Sequence, residues 1–284
     1  MRLGAVEGGG TKFVCGIGTA DGHILDTITI PTTTPEQTLG HVMQYFMQHD
    51  VAAIGFGSFG PVETDPRKPL FGSILNTPKP HWSGFPMLAY MKTQLTVPIA
   101  LTTDVNSAAL GEVTWGAAAG LDNCLYMTVG TGIGAGAIVN GQILHGQTHP
   151  EMGHMILRRH ADDTFEGQCP FHKDCLEGLA SGPAIETRYG VKAFRLAEDH
   201  IGWDYVSYYV AQAITNIALV MSPKKVILGG GVMKQTHLFP KIQEHVRRMM
   251  NDYMPLDDNW LVAPKLGDFS AIKGALALAR AVVP

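Results

Sequence analysis

Apolar residues along this chain gather into short runs that end in glycine or a polar residue, separated by longer stretches with apolar positions three or four apart. The runs VAAIGFG (51–57), VPIALTTD (97–104) and KKVILGGG (224–231) are apolar at consecutive rather than alternate positions. That pattern predicts strands buried on both faces, as in a parallel sheet. TPEQTLGHVMQYFMQHD (34–50) predicts a helix with Thr34 as N-cap and Pro35 at its first position. VNSAALGEVTWGAAAG (105–120), YVSYYVAQAITNIALVM (205–221) and KIQEHVRRMMNDYM (241–254) predict further helices, and SAIKGALALARAVV (270–283) a final one. Strands alternating with helices indicate an α/β protein with a central cleft.

Two stretches repeat one pattern. AVEGGGTKFVCGIGTADGHIL (5–25) and TVGTGIGAGAIVNGQIL (128–144) each hold a strand, a Gly/Thr-rich turn, a second strand, then Asp-Gly or Asn-Gly before a further strand. Asp-Gly and Asn-Gly suit the positive φ angles of two-residue hairpin turns. The repetition implies an internal duplication into two α/β halves. The expected division is an N-terminal domain over 1–115, with helix 268–284 packing back on it, and a C-terminal domain over 116–267.

Composition narrows the partners. The chain has 284 residues, 45% of them hydrophobic and 16% charged, which is ample for packed cores. Its net charge is −4 and no run of Lys or Arg exceeds two residues, so no nucleic-acid partner is expected. The start, MRLGAVEGGGTKF, is not a signal peptide, and the uncharged stretch 123–150 carries too many glycines and polar residues for a membrane helix. A cytoplasmic location with reduced thiols is the expectation. Cys15 and Cys124, in apolar runs, read as buried small hydrophobes.

Several motifs carry candidate chemistry. Gly8-Gly9-Gly10-Thr11-Lys12 is not a P-loop, because Thr rather than Gly precedes the Lys. Gly130, Gly132, Gly134 and Gly136 alternate within a hairpin and do not form a dinucleotide fingerprint. Both stretches can be plain tight turns, or turns whose bare N–H groups and Thr hydroxyls embrace phosphate oxygens. Gly229-Gly230-Gly231 after a strand permits close approach to a flat ligand such as adenine, or is a turn. Asp104, at the end of one strand and the start of a helix, is either an N-cap or a carboxylate placed where ligands bind in α/β folds. In the second role it can accept a proton from a sugar hydroxyl attacking phosphorus.

GQCPFHKDCLEG (167–178) holds two of the four cysteines as Cys-x2-His-x2-Cys. A disulfide, a metal site and chance clustering are the three explanations. Reduced thiols argue against the first, and the three soft ligands favour a metal. Zinc needs a fourth ligand, for which His154 and His160 are both placed upstream.

In combination these motifs resemble the ROK family of sugar kinases and repressors, most closely its fructokinase branch. VEGGGTKF is similar to the first phosphate motif, TDVNSAALGE to the segment of the catalytic Asp, and VGTGIGAGAIVNG to the second phosphate motif. EMGH with the later Cys/His cluster resembles the zinc signature, and ILGGGV the adenosine motif. The resemblance implies a two-domain actin-like (ribonuclease H-like) ATPase fold around a central cleft. It implies ATP-dependent phosphorylation of fructose, with a mannose or glucose kinase, or a non-catalytic sugar sensor, as alternatives. It makes Asp104 the general base and places Glu151, His154, Glu177 and Asn106 at the sugar. It places Glu7, Gly9, Gly10, Thr11, Lys12, Thr131, Gly132, Pro183, Gly229, Gly230 and Gly231 at ATP. The implied structural zinc has His154, Cys169, His172 and Cys175 as ligands, and Mg²⁺ accompanies the nucleotide. A homodimer is expected. Glu7 stands where many relatives have Asp, Thr103 where many have Asn, and His172 makes the metal set two Cys and two His. The chain starts directly at the first phosphate motif, so a repressor is not expected.

Overall fold

The computed structural model describes residues 1–283. Its chain divides into two compact units. One comprises Met1–Gly120, Ile143–His149 and the stretch from Lys265, and the other Leu121–Gln142 with Pro150–Pro264.

The first unit opens with β1 (Arg2–Gly8), β2 (Lys12–Thr19) and β3 (Ile24–Pro31), followed by α1 (Pro35–Met47) and β4 (Ile54–Ser58). Then come α2 (Met87–Met91), β5 (Ile99–Thr103) and α3 (Asp104–Trp115). The sheet order is β3-β2-β1-β4-β5. Strands β1 and β2 form an antiparallel hairpin, while β1, β4 and β5 run parallel. The central strands are buried and β3, at the edge, is largely exposed. Thr34 stands at the N-cap of α1 as expected, but its side chain makes no capping bond; Thr38 Oγ1 instead accepts from Thr33 N–H at 2.9 Å.

The second unit contains β6 (Cys124–Val129), β7 (Ile133–Val139) and the first residue of β8 (Gln142–Ile143). It continues with α4 (Leu176–Ala180), α5 (Gly182–Tyr189), α6 (Gly202–Met221), β9 (Lys225–Gly229), α7 (Leu238–Met250) and β10 (Leu261–Val262). Its sheet order is β10-β9-β6-β7-β8, with β6 antiparallel to β7 and parallel to β9. Written from the other edge, this is the topology of the first sheet. The Asn140-Gly141 turn has φ 52° and 74°, and Gly22 has φ 83°. Helix α7 stops at Met250, earlier than its apolar pattern suggested, because Asn251 turns left-handed (φ 46°) and closes it. Cys15 and Cys124 are fully buried in their strands.

Helix α8 (Ser270–Ala281) belongs to the first unit. It lies backbone to backbone on α3 and β4. A Cβ on Gly55 would stand 1.8 Å from Ala275 O, one on Gly111 2.1 Å from Ser270 O, and one on Gly274 1.6 Å from Ser107 O. Ile272 and Leu276 fill a cluster with Leu3, Ala5 and Ala53, each large side chain contributing about 1.5–3 kcal/mol. Glu112 is fully buried and ties this junction together. Its carboxylate accepts from Ala117 N (2.6 Å), Lys265 N (3.2 Å), Leu266 N (3.0 Å) and Ser270 Oγ (2.7 Å). Four donors offset the cost of burying the charge. They also explain why α3 ends at Trp115 rather than at Gly120. The Glu112 carboxylate holds the chain in a turn, and a Cβ on Gly116 would lie 2.0 Å from it.

Candidate functional site

In the first unit, strand register sets the geometry. Gly8 pairs with Ser58, and Ser58 pairs with Thr103. The glycine turn after β1 and the start of α3 after β5 therefore leave the same sheet edge, separated by β4 alone. At ordinary strand spacing that is about 10 Å, and ligands bind at this end of parallel strands.

The turn Gly9–Thr11 is closed by Gly9 N–H donating to Lys12 O (2.9 Å). It is braced by Thr32, whose hydroxyl donates to Gly9 O (2.7 Å) and whose N–H donates to Thr11 O (3.0 Å). Packing demands Gly8, since a Cβ there would meet the Phe56 ring at 2.9 Å, whereas one on Gly10 would meet nothing within 4 Å among the described residues. Thr11 and Lys12 are exposed. Glu7 is half-buried beneath the turn. Burial pushes its carboxyl up to about 7, the charge of Asp104 adds to the effect, and Lys12 opposes it.

Asp104 is the first residue of α3 and not its N-cap. Thr103 takes that place, its hydroxyl accepting from Asn106 N–H at 3.2 Å. Asp104 Oδ1 accepts from Val105 N–H at 2.9 Å. Its carboxylate thus sits partly buried at a helix N-terminus. Asn106, placed at the sugar by resemblance, is 2% exposed and donates to Thr102 Oγ1 (3.3 Å), which makes it a support of the β5–α3 junction in this structure.

In the second unit three segments adjoin. Gly130 N–H donates to Gly132 O (2.9 Å), and Gly182 N–H at the start of α5 donates to Gly130 O (2.7 Å). Ser181 caps α5, Pro183 lies in its first turn, and Thr131 is exposed. The third segment is the Gly229–Gly231 turn. A Cβ on Gly130 would stand 3.5 Å from Gly231 N. Gly230 (φ 93°) has no room for a side chain, with Val129 O at 2.5 Å, and Gly231 is open.

The start of β7 also anchors the Cys/His loop. A Cβ on Gly153 would stand 1.6 Å from Ile133 O, so only glycine lets the Met152–His154 turn lie there. Ile133 N–H donates to Glu177 Oε2 at 2.9 Å. Glu177, expected at the sugar, therefore has one oxygen committed to the second glycine turn. Glu151 is exposed, and its carbonyl accepts from His154 N–H (3.0 Å).

One donor atom from each of His154, Cys169, His172 and Cys175 lies within 4.8 Å of the others. His154 Nδ1 is 3.5 Å from Cys175 Sγ and 3.7 Å from Cys169 Sγ, and His172 Nδ1 is 3.8 Å from Cys169 Sγ. Tetrahedral zinc with ordinary Zn–S and Zn–N bonds separates neighbouring donors by about 3.5–3.8 Å, so the set fits a metal ion. Burial pushes the Cys175 thiol up to about 11, and a bound cation would supply the charge that favours thiolate. His160 stands apart from the four. Its ring packs on Tyr205 and Tyr208, and its Nδ1 accepts from Asp162 N–H (3.2 Å).

The stretch between His154 and Cys169 is pinned by buried Asp163. This carboxylate meets Arg188 (3.1 Å) and accepts from the Tyr209 hydroxyl (2.6 Å). Ser181 and Asp163 did not stand out in sequence, and Thr103 did so only as a departure from its relatives. Each acts through partners that only the fold supplies.

No helix among the described residues is long and apolar enough to cross a membrane. The sequence model of the ROK family matches residues 3–282. A protein of Bacillus subtilis (strain 168) is 50% identical over 98% of this chain and 95% of its own length. The fructokinase of Pediococcus pentosaceus is 47% identical over 100% of this chain and 99% of its own. Among solved structures, a ROK hexokinase from Thermus thermophilus superposes with a TM-score of 0.82 at 27% identity, covering 98% of each chain. With a match that runs almost from end to end in both sequence and fold, this chain belongs to the ROK family.

Proposed function

We propose that this enzyme is an ATP-dependent fructokinase, forming fructose 6-phosphate and ADP. The observation that carries the reading is the register Gly8–Ser58–Thr103, which brings an open glycine turn and a helix-N-terminal carboxylate to one sheet edge. Kinship with the Pediococcus pentosaceus fructokinase over the whole chain supports the choice of sugar.

In this reading Asp104 accepts the proton of the 6-hydroxyl. That oxygen forms a bond to the γ-phosphorus as the bond from phosphorus to the ADP oxygen breaks. Glu7, Gly9, Gly10, Thr11 and Lys12 serve the phosphates in the first unit. Thr131, Gly132, Pro183 and Gly229–Gly231 serve the nucleotide in the second. Backbone N–H groups at bare glycines offset charge on the transferring group without reorganising. Mg²⁺ accompanying the nucleotide would neutralise part of that charge.

Glu151, His154 and the uncommitted oxygen of Glu177 would bind sugar hydroxyls. His154 turns Nδ1 to the sulfurs, which leaves Nε2 for a hydroxyl. Zinc held by His154, Cys169, His172 and Cys175 would be structural, because four protein ligands leave no open position for chemistry. A cytoplasmic homodimer completes the proposal, carried over from the resemblance.

The test is ADP release by the purified enzyme over fructose, mannose and glucose, with Asp104→Asn alongside. Fructose should give the highest kcat/KM. The Asn variant should keep its fold and sugar binding and lose about 10²–10⁴-fold in rate, as removal of a general base does. Activity within a few-fold of the parent would remove Asp104 from the mechanism, and a preference for mannose or glucose would change the sugar.

A further inference from the structure

The segment Asn76-Thr77-Pro78-Lys79-Pro80-His81-Trp82 has no part in the reaction so far. It is built rigidly. Trp82 is fully buried, its indole N–H donating to Thr33 O at 2.8 Å. Its ring stacks on Phe13 (centroids 5.6 Å, 28°) and meets Phe59 edge-on at 5.2 Å. Phe13 directly follows Lys12, so Trp82 fastens this segment to the strand that leaves the first glycine turn. Trp82 N–H donates to Lys79 O (3.2 Å), Thr77 Oγ1 accepts from Lys79 N–H (3.3 Å), and a proline on each side fixes the backbone.

A lysine presented this way does not extend freely into solvent. The Lys79 ammonium donates to the carbonyl of Gly10, at the tip of the glycine turn. Gly10 is exposed, with open space where its Cβ would be. An ammonium has three donors, and this contact uses one. The other two sit at the rim of a turn whose N–H groups suit phosphate oxygens, on the same unit as Asp104. A fixed positive charge at that rim has a neutral backbone carbonyl as a weak substitute for an anion.

We propose that Lys79 is a phosphate-binding residue of the active site, whose ammonium contacts the terminal phosphate of the nucleotide at the first glycine turn. The proposal rests on the reading of residues 8–12 as a phosphate turn. It gives the anchored Thr77–Trp82 segment a role as the carrier of a catalytic cation supplied from outside the glycine motif itself.

The test uses the full chain with Lys79→Met, which keeps the apolar stem and removes the charge, and Lys79→Arg, which keeps the charge. Steady-state kinetics would be measured for ATP and fructose separately. Equilibrium affinities for ATP and ADP would be measured without sugar in an Asp104→Asn background, where turnover is slowed. Lys79→Met should lower kcat/KM for ATP by about 10- to 100-fold, the loss expected of one charge-assisted contact. ATP affinity should fall more than ADP affinity, the fructose KM should stay within about twofold of the parent, and Lys79→Arg should recover most of the loss. Unchanged ATP kinetics would overturn the proposal. So would a rise in fructose KM alone, or a loss that Lys79→Arg does not recover and that tracks a lowered melting temperature. A parent that bound neither ATP nor ADP would overturn the phosphate-turn reading itself. A parent that bound both while Lys79→Met behaved normally would overturn the lysine alone.

Discussion

The two sheets share one topology, yet they hold their glycine turns by different means. In the first unit the turn after β1, besides its hydrogen bonds with Thr32, rests on an aromatic cluster of Phe13, Phe56, Phe59 and Trp82. In the second, the turn after β6 is held by polar and backbone contacts. Glu177 takes Ile133 N–H, Gly153 lies against Ile133 O, and both residues belong to segments tied by the Cys/His cluster. The shared scaffold supplies backbone donors twice. What is not shared, Asp104 after β5 and the loop after β8, carries the catalytic and sugar-side chemistry of the proposed reaction. A duplicated fold thus provides two similar ends, and the differences between them lie in segments outside the repeated strands.

The strongest way to break this comparison is to remove each support in turn. Cys175→Ser should lose the metal and, by loosening the sugar-side residues by about 1 Å, on the order of 10²-fold in rate, with the fructose KM rising more than that for ATP. His160→Ala should keep both metal and activity. Elemental analysis with kinetics decides, and zinc loss in His160→Ala would show that the four-residue set is wrong. Trp82→Ala should instead cost about 3–5 kcal/mol of stability and leave metal content unchanged. Denaturant melts alongside metal analysis separate the two supports.

A subtler contrast lies in the turns. Gly10→Val places its side chain in open space, so the variant should fold normally and raise the ATP KM by about tenfold or more by blocking backbone approach. Gly132→Val brings a Cβ within 2.8 Å of Glu177 Oε2 and should raise both the ATP and the fructose KM. Equal, ATP-only effects from the two would mean that Glu177 plays no part at the sugar.

The smallest effect belongs to Glu7, which has no counterpart in the second turn. Its carboxyl is raised from 4.5 to about 7 by burial and then by Asp104. Between those values the folded protein binds a proton that the unfolded chain does not, so stability falls as pH rises from about 4.5 through 7. Glu7→Gln should flatten that part of the stability–pH curve. Urea midpoints across the range measure it, and an unchanged slope would show that Glu7 is not its source.

Much of this was legible before any fold was known. The strands and helices followed from apolar spacing, and the duplication from two similar hairpin stretches. The cluster at 169–175 stood out because three soft ligands share one short loop. Choosing between His154 and His160 was beyond spacing alone; the structure brings His154 to the sulfurs and packs His160 on tyrosines. Boundaries were less legible. Helix α3 was expected to reach Gly120, because nothing local signals that Glu112 folds back on Ala117 and the residues from Lys265 onward. Asp104 looked like a cap because the competing hydroxyl of Thr103 is one residue away. Lys79 carried no signal, since its meaning depends on Gly10, 69 positions distant in sequence.

Helix α8 has a consequence for how the chain is made. It completes the first unit, packing on β1, β4 and α3, yet it is translated after the whole second unit. The glycines that receive it, Gly55 and Gly111, are shaped for a backbone that has not yet been synthesised when they leave the ribosome. Domains generally fold as units during synthesis. The second unit, almost continuous in sequence, can therefore form first, while β1, β4 and α3 wait with an apolar face uncovered. The N-terminal half therefore leaves the ribosome before residues 270–281, the helix that covers its apolar face, have been made.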